Sequence, residues 1–162
     1  MKSLTAESLL NTIDLTVNNI KSLASNNILQ YTANDPLTSS YIAGYLMTFI
    51  SGIYEETIEI ILREKIRRSG RKYIINFVNS MIEERFRNPS YKNVKKLLKK
   101  FDNNWVEKIK TIPERDKLAL SSVVNSKNAL AHGYNFDVTL AEAIQYYKDS
   151  KNVIEKLDDI IL

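Results

Sequence analysis

His132 is the single histidine of this 162-residue chain, and it closes the segment Ser126-Lys127-Asn128-Ala129-Leu130-Ala131-His132-Gly133. The side chains of Lys127, Asn128 and His132 bring a cation, an amide and an imidazole within a few positions. Together they can hold a phosphate: lysine brings positive charge, Asn128 hydrogen bonds, and imidazole moves a proton near neutral pH. RNA cleavage without a metal needs little more. The ribose 2′-hydroxyl attacks the adjacent phosphorus, a base takes its proton, an acid protonates the leaving 5′-oxygen, and a cation stabilises the phosphate charge. One imidazole cannot easily serve both oxygens at once. Two can, if two copies of the chain face each other across a twofold axis. A lone histidine in the last turn of a helix is also a common cap, suited to the helix dipole, and on spacing alone that reading comes first.

The residues around the segment place it on a helix. At about 100° per residue, Asn128 and His132 share a face, while Lys127 lies about 140° around from His132 and about one and a half turns behind it. The helix begins near Pro113, whose missing N–H costs little in a first turn, carries Leu118, Leu120, Val123, Val124 and Leu130, and stops at Gly133. Five further helical stretches and one short piece are expected. The first, from Thr5 to Asn27, carries Leu10, Ile13, Val17, Ile20 and Leu23 at steps of three and four. Asp35-Pro36 reads as a turn, and Ser39 and Ser40 as candidate caps for a helix over Tyr41 to Ser69. Gly44 and Gly52 within it imply close packing on a neighbour. A helix from Arg71 to Phe86 is expected to bury Ile74, Phe77, Val78 and Met81. Pro89 then breaks the chain, since it disfavours helical geometry at Asn88. A short helix through Val94, Leu97, Leu98 and Phe101 follows, then a piece anchored by Trp105. Thr139 to Glu142 match a capping box for a last helix through Leu140, Ile144, Tyr147, Ile154, Leu157 and Ile161. No stretch alternates like a strand. The expected fold is all-α, an up-and-down bundle of five to seven helices forming a single domain over residues 1–162.

Composition narrows the function classes. With no cysteine and one histidine, disulfides and thiolate metal sites are excluded, and a histidine zinc site within one chain is not expected. No cofactor is expected either. There is no apolar run of membrane-spanning length and no secretion-signal pattern at the N-terminus, so the chain reads as cytoplasmic with no membrane partner. The net charge of +4 hides a strong asymmetry. Residues 63–100 hold thirteen basic and three acidic side chains, while the segments on either side are net acidic. Arg87, Lys92, Lys95, Lys96, Lys99 and Lys100 thus form a candidate RNA-binding face, although for a charge run alone a solvated helix surface is the reading that comes first.

Three blocks together resemble the HEPN superfamily, most closely its RiboL-PSP-HEPN-like branch. They are Lys127-Asn128-Ala129-Leu130-Ala131-His132 with Gly133; Phe86-Arg87-Asn88-Pro89-Ser90 with Val94-Lys95-Lys96-Leu97-Leu98-Lys99-Lys100-Phe101; and Tyr54-Glu55-Glu56-Thr57-Ile58-Glu59. The resemblance implies a homodimer with a composite cleft between the motif helices. Many such proteins are metal-independent endoribonucleases, often toxins of toxin–antitoxin or other defence systems with an antitoxin protein as partner. Others are catalytically inactive modules that bind RNA, a nucleotide or a protein. By position, His132 would transfer the proton and Asn128 would orient RNA or His132. Lys127 stands where the family has arginine; the change keeps the charge and loses the planar, bidentate grip on phosphate. Glu55 or Glu56 would orient a catalytic group, or simply form an acidic face. Tyr134 would stack on a base, or pack on the bundle.

Overall fold

The computed structural model describes residues 1–25, 36–68, 70–133 and 136–162. Among these residues there are seven helices and no strand: α1 (Leu4–Ser25), α2 (Pro36–Arg67), α3 (Lys72–Arg85), α4 (Tyr91–Lys99), α5 (Asn103–Ile109), α6 (Glu114–Ala131) and α7 (Leu140–Ile161).

The 32-residue α2 is the spine, packing against α1, α3, α6 and α7. Its sequence explains this role. Ala43, Leu46, Met47, Ile50, Tyr54, Ile58, Ile61 and Leu62 are buried on more than one side, so the helix needs neighbours around most of its girth. One continuous apolar cluster runs from Ala6 on α1 to Ile161 on α7. Polar ties pin the same helices. The Tyr54 hydroxyl pairs with Ser150 Oγ at 2.9 Å, and the Tyr147 hydroxyl donates to Asp14 Oδ1 at 2.6 Å, where Lys151 Nζ also binds Oδ2 at 2.8 Å. Burial pushes both phenols far above their ordinary pKa, which keeps them as protonated donors. Buried Asp158 on α7 accepts the backbone N–H groups of Lys2 and Ser3, and Ser3 Oγ caps α1 by accepting from Ala6 N–H at 3.1 Å.

The local signals in the sequence act as expected at several ends. Thr139 and Glu142 form the reciprocal capping box of α7. Ser90 and Asp102 cap α4 and α5. Trp105 stacks on Phe101 with ring centroids 6.1 Å apart. Three expectations need correction. First, α2 starts at Pro36 instead of Tyr41, because proline is well suited to a first helical turn; Ser39 and Ser40 therefore lie inside the helix and cap nothing. Second, α3 turns Ile75, Val78, Met81 and Ile82 toward the core and leaves Ile74 and Phe77 exposed. Two apolar stripes one residue apart compete on this helix, and only packing against α2 selects between them. Third, a Cβ on Gly44 would come within 3.0 Å of Leu130 Cδ1, a true close approach of α2 to α6, whereas Gly52 faces open space. Leu23, Leu118 and Leu130 also keep substantial exposure. The expected helix end at Asn26-Asn27, Asp35 of the turn signal and Ser69 fall outside the described residues.

Candidate functional site

α6 delivers the motif. Pro113 precedes it, Glu114 and Asp116 sit in its first turn, and buried Leu120, Val123 and Val124 press it onto α2 and α7. The helix stops at His132, whose N–H donates to Asn128 O at 3.1 Å. Gly133 follows at φ +68°, a conformation costly for any residue with a Cβ, and donates to Leu130 O at 3.1 Å. The last turn is thereby closed, and His132 is left exposed at the helix end.

Lys127 points elsewhere. Its ammonium donates to Asn88 Oδ1 at 2.6 Å, in the α3–α4 connection. Asn88 is held at φ +56°, a left-handed conformation that asparagine tolerates better than most residues. Its N–H donates to Glu55 Oε2 at 2.9 Å, and its carbonyl accepts from Ser90 N–H and Asn93 Nδ2, each at 2.8 Å. Glu55 reaches Arg87 at 3.5 Å, Arg87 approaches Glu59 at 3.9 Å, and Arg63 joins Glu59 at 3.4 Å to Glu83 at 3.0 Å. A polar chain thus runs from the motif helix through the α3–α4 connection to the middle of α2 and on to α3. Burial raises the pKa of Glu59 above the ordinary carboxylate value, against the opposing pull of Arg63. The partner of Lys127 here is a neutral amide oxygen, so this contact positions the ammonium without neutralising it.

Of the two candidate carboxylates on α2, Glu55 enters this chain and Glu56 stays exposed. Asn128 is half-buried in the last turn of α6, and His132 follows as the C-cap. Tyr134 lies outside the described residues. The basic face divides. Arg87, Lys96 and Lys100 line a cavity of about 270 Å³ between α3 and α4, together with Asn93. Lys92, Lys95 and Lys99 are exposed and form no part of its walls. Among the described residues no group of three or more metal-ligating side chains comes together.

Asn88 is the residue that reading the sequence missed. It looked like a boundary set by Pro89. An asparagine before a break was a local hint of left-handed backbone, but nothing nearby in the chain pointed to Lys127.

Comparison with protein families matches residues 14–162 to the family described as RiboL-PSP-HEPN. Neither the curated proteins nor the solved structures gave a match.

Proposed function

The chain belongs to the RiboL-PSP-HEPN family, and on that premise we propose that it is a metal-independent endoribonuclease whose residues 1–162 act as one domain in a homodimer. The observation that carries the proposal is the arrangement along α6: an exposed imidazole at its end, Asn128 one turn before it, and a Lys127 ammonium positioned by a neutral amide oxygen instead of a carboxylate.

The chemistry follows from these groups. His132 of one copy removes the proton from a ribose 2′-hydroxyl. The oxygen attacks the adjacent phosphorus and the bond to the 5′-oxygen breaks. The partner's His132 protonates that leaving oxygen, giving a 2′,3′-cyclic phosphate and a free 5′-hydroxyl. Lys127 stabilises the charge that builds on the phosphate, and Asn128 orients the strand or the imidazole. Glu55 acts at one remove, by fixing the backbone of Asn88 and so the position of Lys127. The exposed residues Leu37, Tyr41 and Tyr45 support the dimer. They recur every fourth position along α2 and flank Gly44, which touches Leu130 beside the motif. Arg87, Lys92, Lys95, Lys96, Lys99 and Lys100 supply a basic approach for RNA. A cytoplasmic toxin or defence role, with an antitoxin protein as partner, is the setting the family supports. No helix among the described residues is long and apolar enough to cross a membrane.

A second reading is a non-catalytic module that binds RNA, a nucleotide or a protein. It is favoured by Lys127 in place of arginine, since a lysine grips phosphate as a mobile point charge. Incubation of purified protein with RNA in excess chelator separates the two. Cleavage to 2′,3′-cyclic phosphate ends that disappears with His132→Ala supports the nuclease. Binding without cleavage, unchanged in the variant, supports the module.

A further inference from the structure

The cavity between α3 and α4 has a composition of its own. Arg87, Asn93, Lys96 and Lys100 give it a polar, cationic rim, and Met81, Phe86 and Leu97 give it an apolar floor. Phe86 and Leu97 are only 3% and 6% exposed, so that floor is firm. A second cavity, of about 360 Å³, adjoins it through shared walls at Met81 and Lys100 and adds Phe77, Ser80 and Glu84. Phe77 is 72% exposed, so its ring stands open to solvent. Glu84 is engaged by Ser80 Oγ at 3.1 Å. No ion pair reaches Lys96 or Lys100 among the described residues, and the ion pairs of Arg87 are the long contacts to Glu55 and Glu59, beside a bond it donates to the Phe86 carbonyl at 3.2 Å. Three cations thus line a groove next to an open aromatic ring.

We propose that this groove binds one nucleoside phosphate, with the phosphate on Arg87, Lys96 and Lys100 and the base stacked on Phe77. Ammonium and guanidinium donors suit phosphate oxygens. An exposed aromatic beside them suits a base with a free face, the arrangement by which unpaired nucleotides are held. An inorganic anion would leave Phe77 and the apolar floor unused. The nucleotide can arrive free or as one unstacked residue of a strand. The second source rests on the RNA reading given above; the site itself does not. Its phosphate would compete with Glu55 and Glu59 for Arg87, which directly precedes the residue that holds Lys127.

The test measures binding, with no cleavage readout. Uridine and adenosine 5′-monophosphates, inorganic phosphate, and a short single-stranded RNA are titrated into the full chain by calorimetry. Phe77→Ala, the double change Lys96→Ala with Lys100→Ala, and a charge-matched control, Lys148→Ala with Lys156→Ala on α7, are run in parallel. The expected result is a loss of about tenfold in nucleotide or RNA affinity for Phe77→Ala with phosphate binding unchanged. Loss of both is expected for the groove lysines, with the control retaining wild-type binding. Mononucleotide binding points to a free ligand, and binding of the strand alone points to a residue of RNA; either supports the site. Wild-type affinity in Phe77→Ala, or equal losses in the groove and control pairs, would overturn it. Because Phe77 is exposed, its truncation leaves the core intact, which circular dichroism verifies. A chain that binds in this way without cutting RNA would sink the nuclease and keep the groove; one that cuts while Phe77→Ala binds normally would do the reverse.

Discussion

Lys127 and Asn88, 39 residues apart in the chain, meet at 2.6 Å and join the motif helix to the α3–α4 connection. The contact orients the only motif cation while leaving its charge available. Asn88→Asp is therefore an informative change. A carboxylate at this place pairs with the ammonium, so thermal stability should hold or rise, while RNA cleavage should fall by about tenfold, or about 1.4 kcal/mol of transition-state stabilisation. Melting curves and single-turnover rates read the two effects separately. Unchanged cleavage would mean that the charge on Lys127 does no catalytic work.

Lys127→Arg tests the departure from the family pattern. A guanidinium can keep one donor on Asn88 and offer others to phosphate in a planar fork. A severalfold gain in turnover is expected, with little change in melting temperature. A loss of activity would show that the pocket around Asn88 is built for the smaller ammonium.

The two-imidazole mechanism makes a quantitative demand. When a fixed amount of wild-type chain exchanges subunits with an equal amount of His132→Ala, about half of the wild-type chains end in mixed dimers. Cleavage should fall to about half. Undiminished cleavage after proven exchange would place each site within one subunit.

Gly133 holds the end of α6 at φ +68° with open space around its Cα. Gly133→Ala meets no steric obstacle from neighbours and only the backbone penalty, about 1 kcal/mol. The melting temperature should drop by a few degrees, and cleavage should drop further than stability explains, because the turn that places His132 is altered. Chemical denaturation and cleavage assays at one temperature would check both.

Glu59 sets a pH dependence. Burial raises its folded-state pKa above the ordinary value of 4.5, so the folded chain binds the proton more tightly than the unfolded chain does. The penalty for ionised Glu59 is absent below 4.5, grows as pH rises through the raised value, and is full at neutrality. Glu59→Gln should therefore melt higher than wild type at pH 7 and match it near pH 4. A variant less stable at pH 7 would show that the ion pair with Arg63 outweighs the burial.

Much of this protein was decided locally. Helix-period apolar residues, the Thr139–Glu142 capping box and the stop at Gly133 act over three or four positions, so their outcome follows from the residues themselves. The same holds for the motif, whose spacing sets Asn128 and His132 on one face whatever the surroundings. Tertiary packing decided the rest. It chose Ile75 and Val78 over Ile74 and Phe77 as the inner stripe of α3, took Glu55 over its neighbour Glu56, and brought Asn88 to Lys127. Each of these is a choice between locally equivalent options. A helix turns 100° per residue, so adjacent side chains differ little in propensity but point to different neighbours, and only the partner helix breaks the tie.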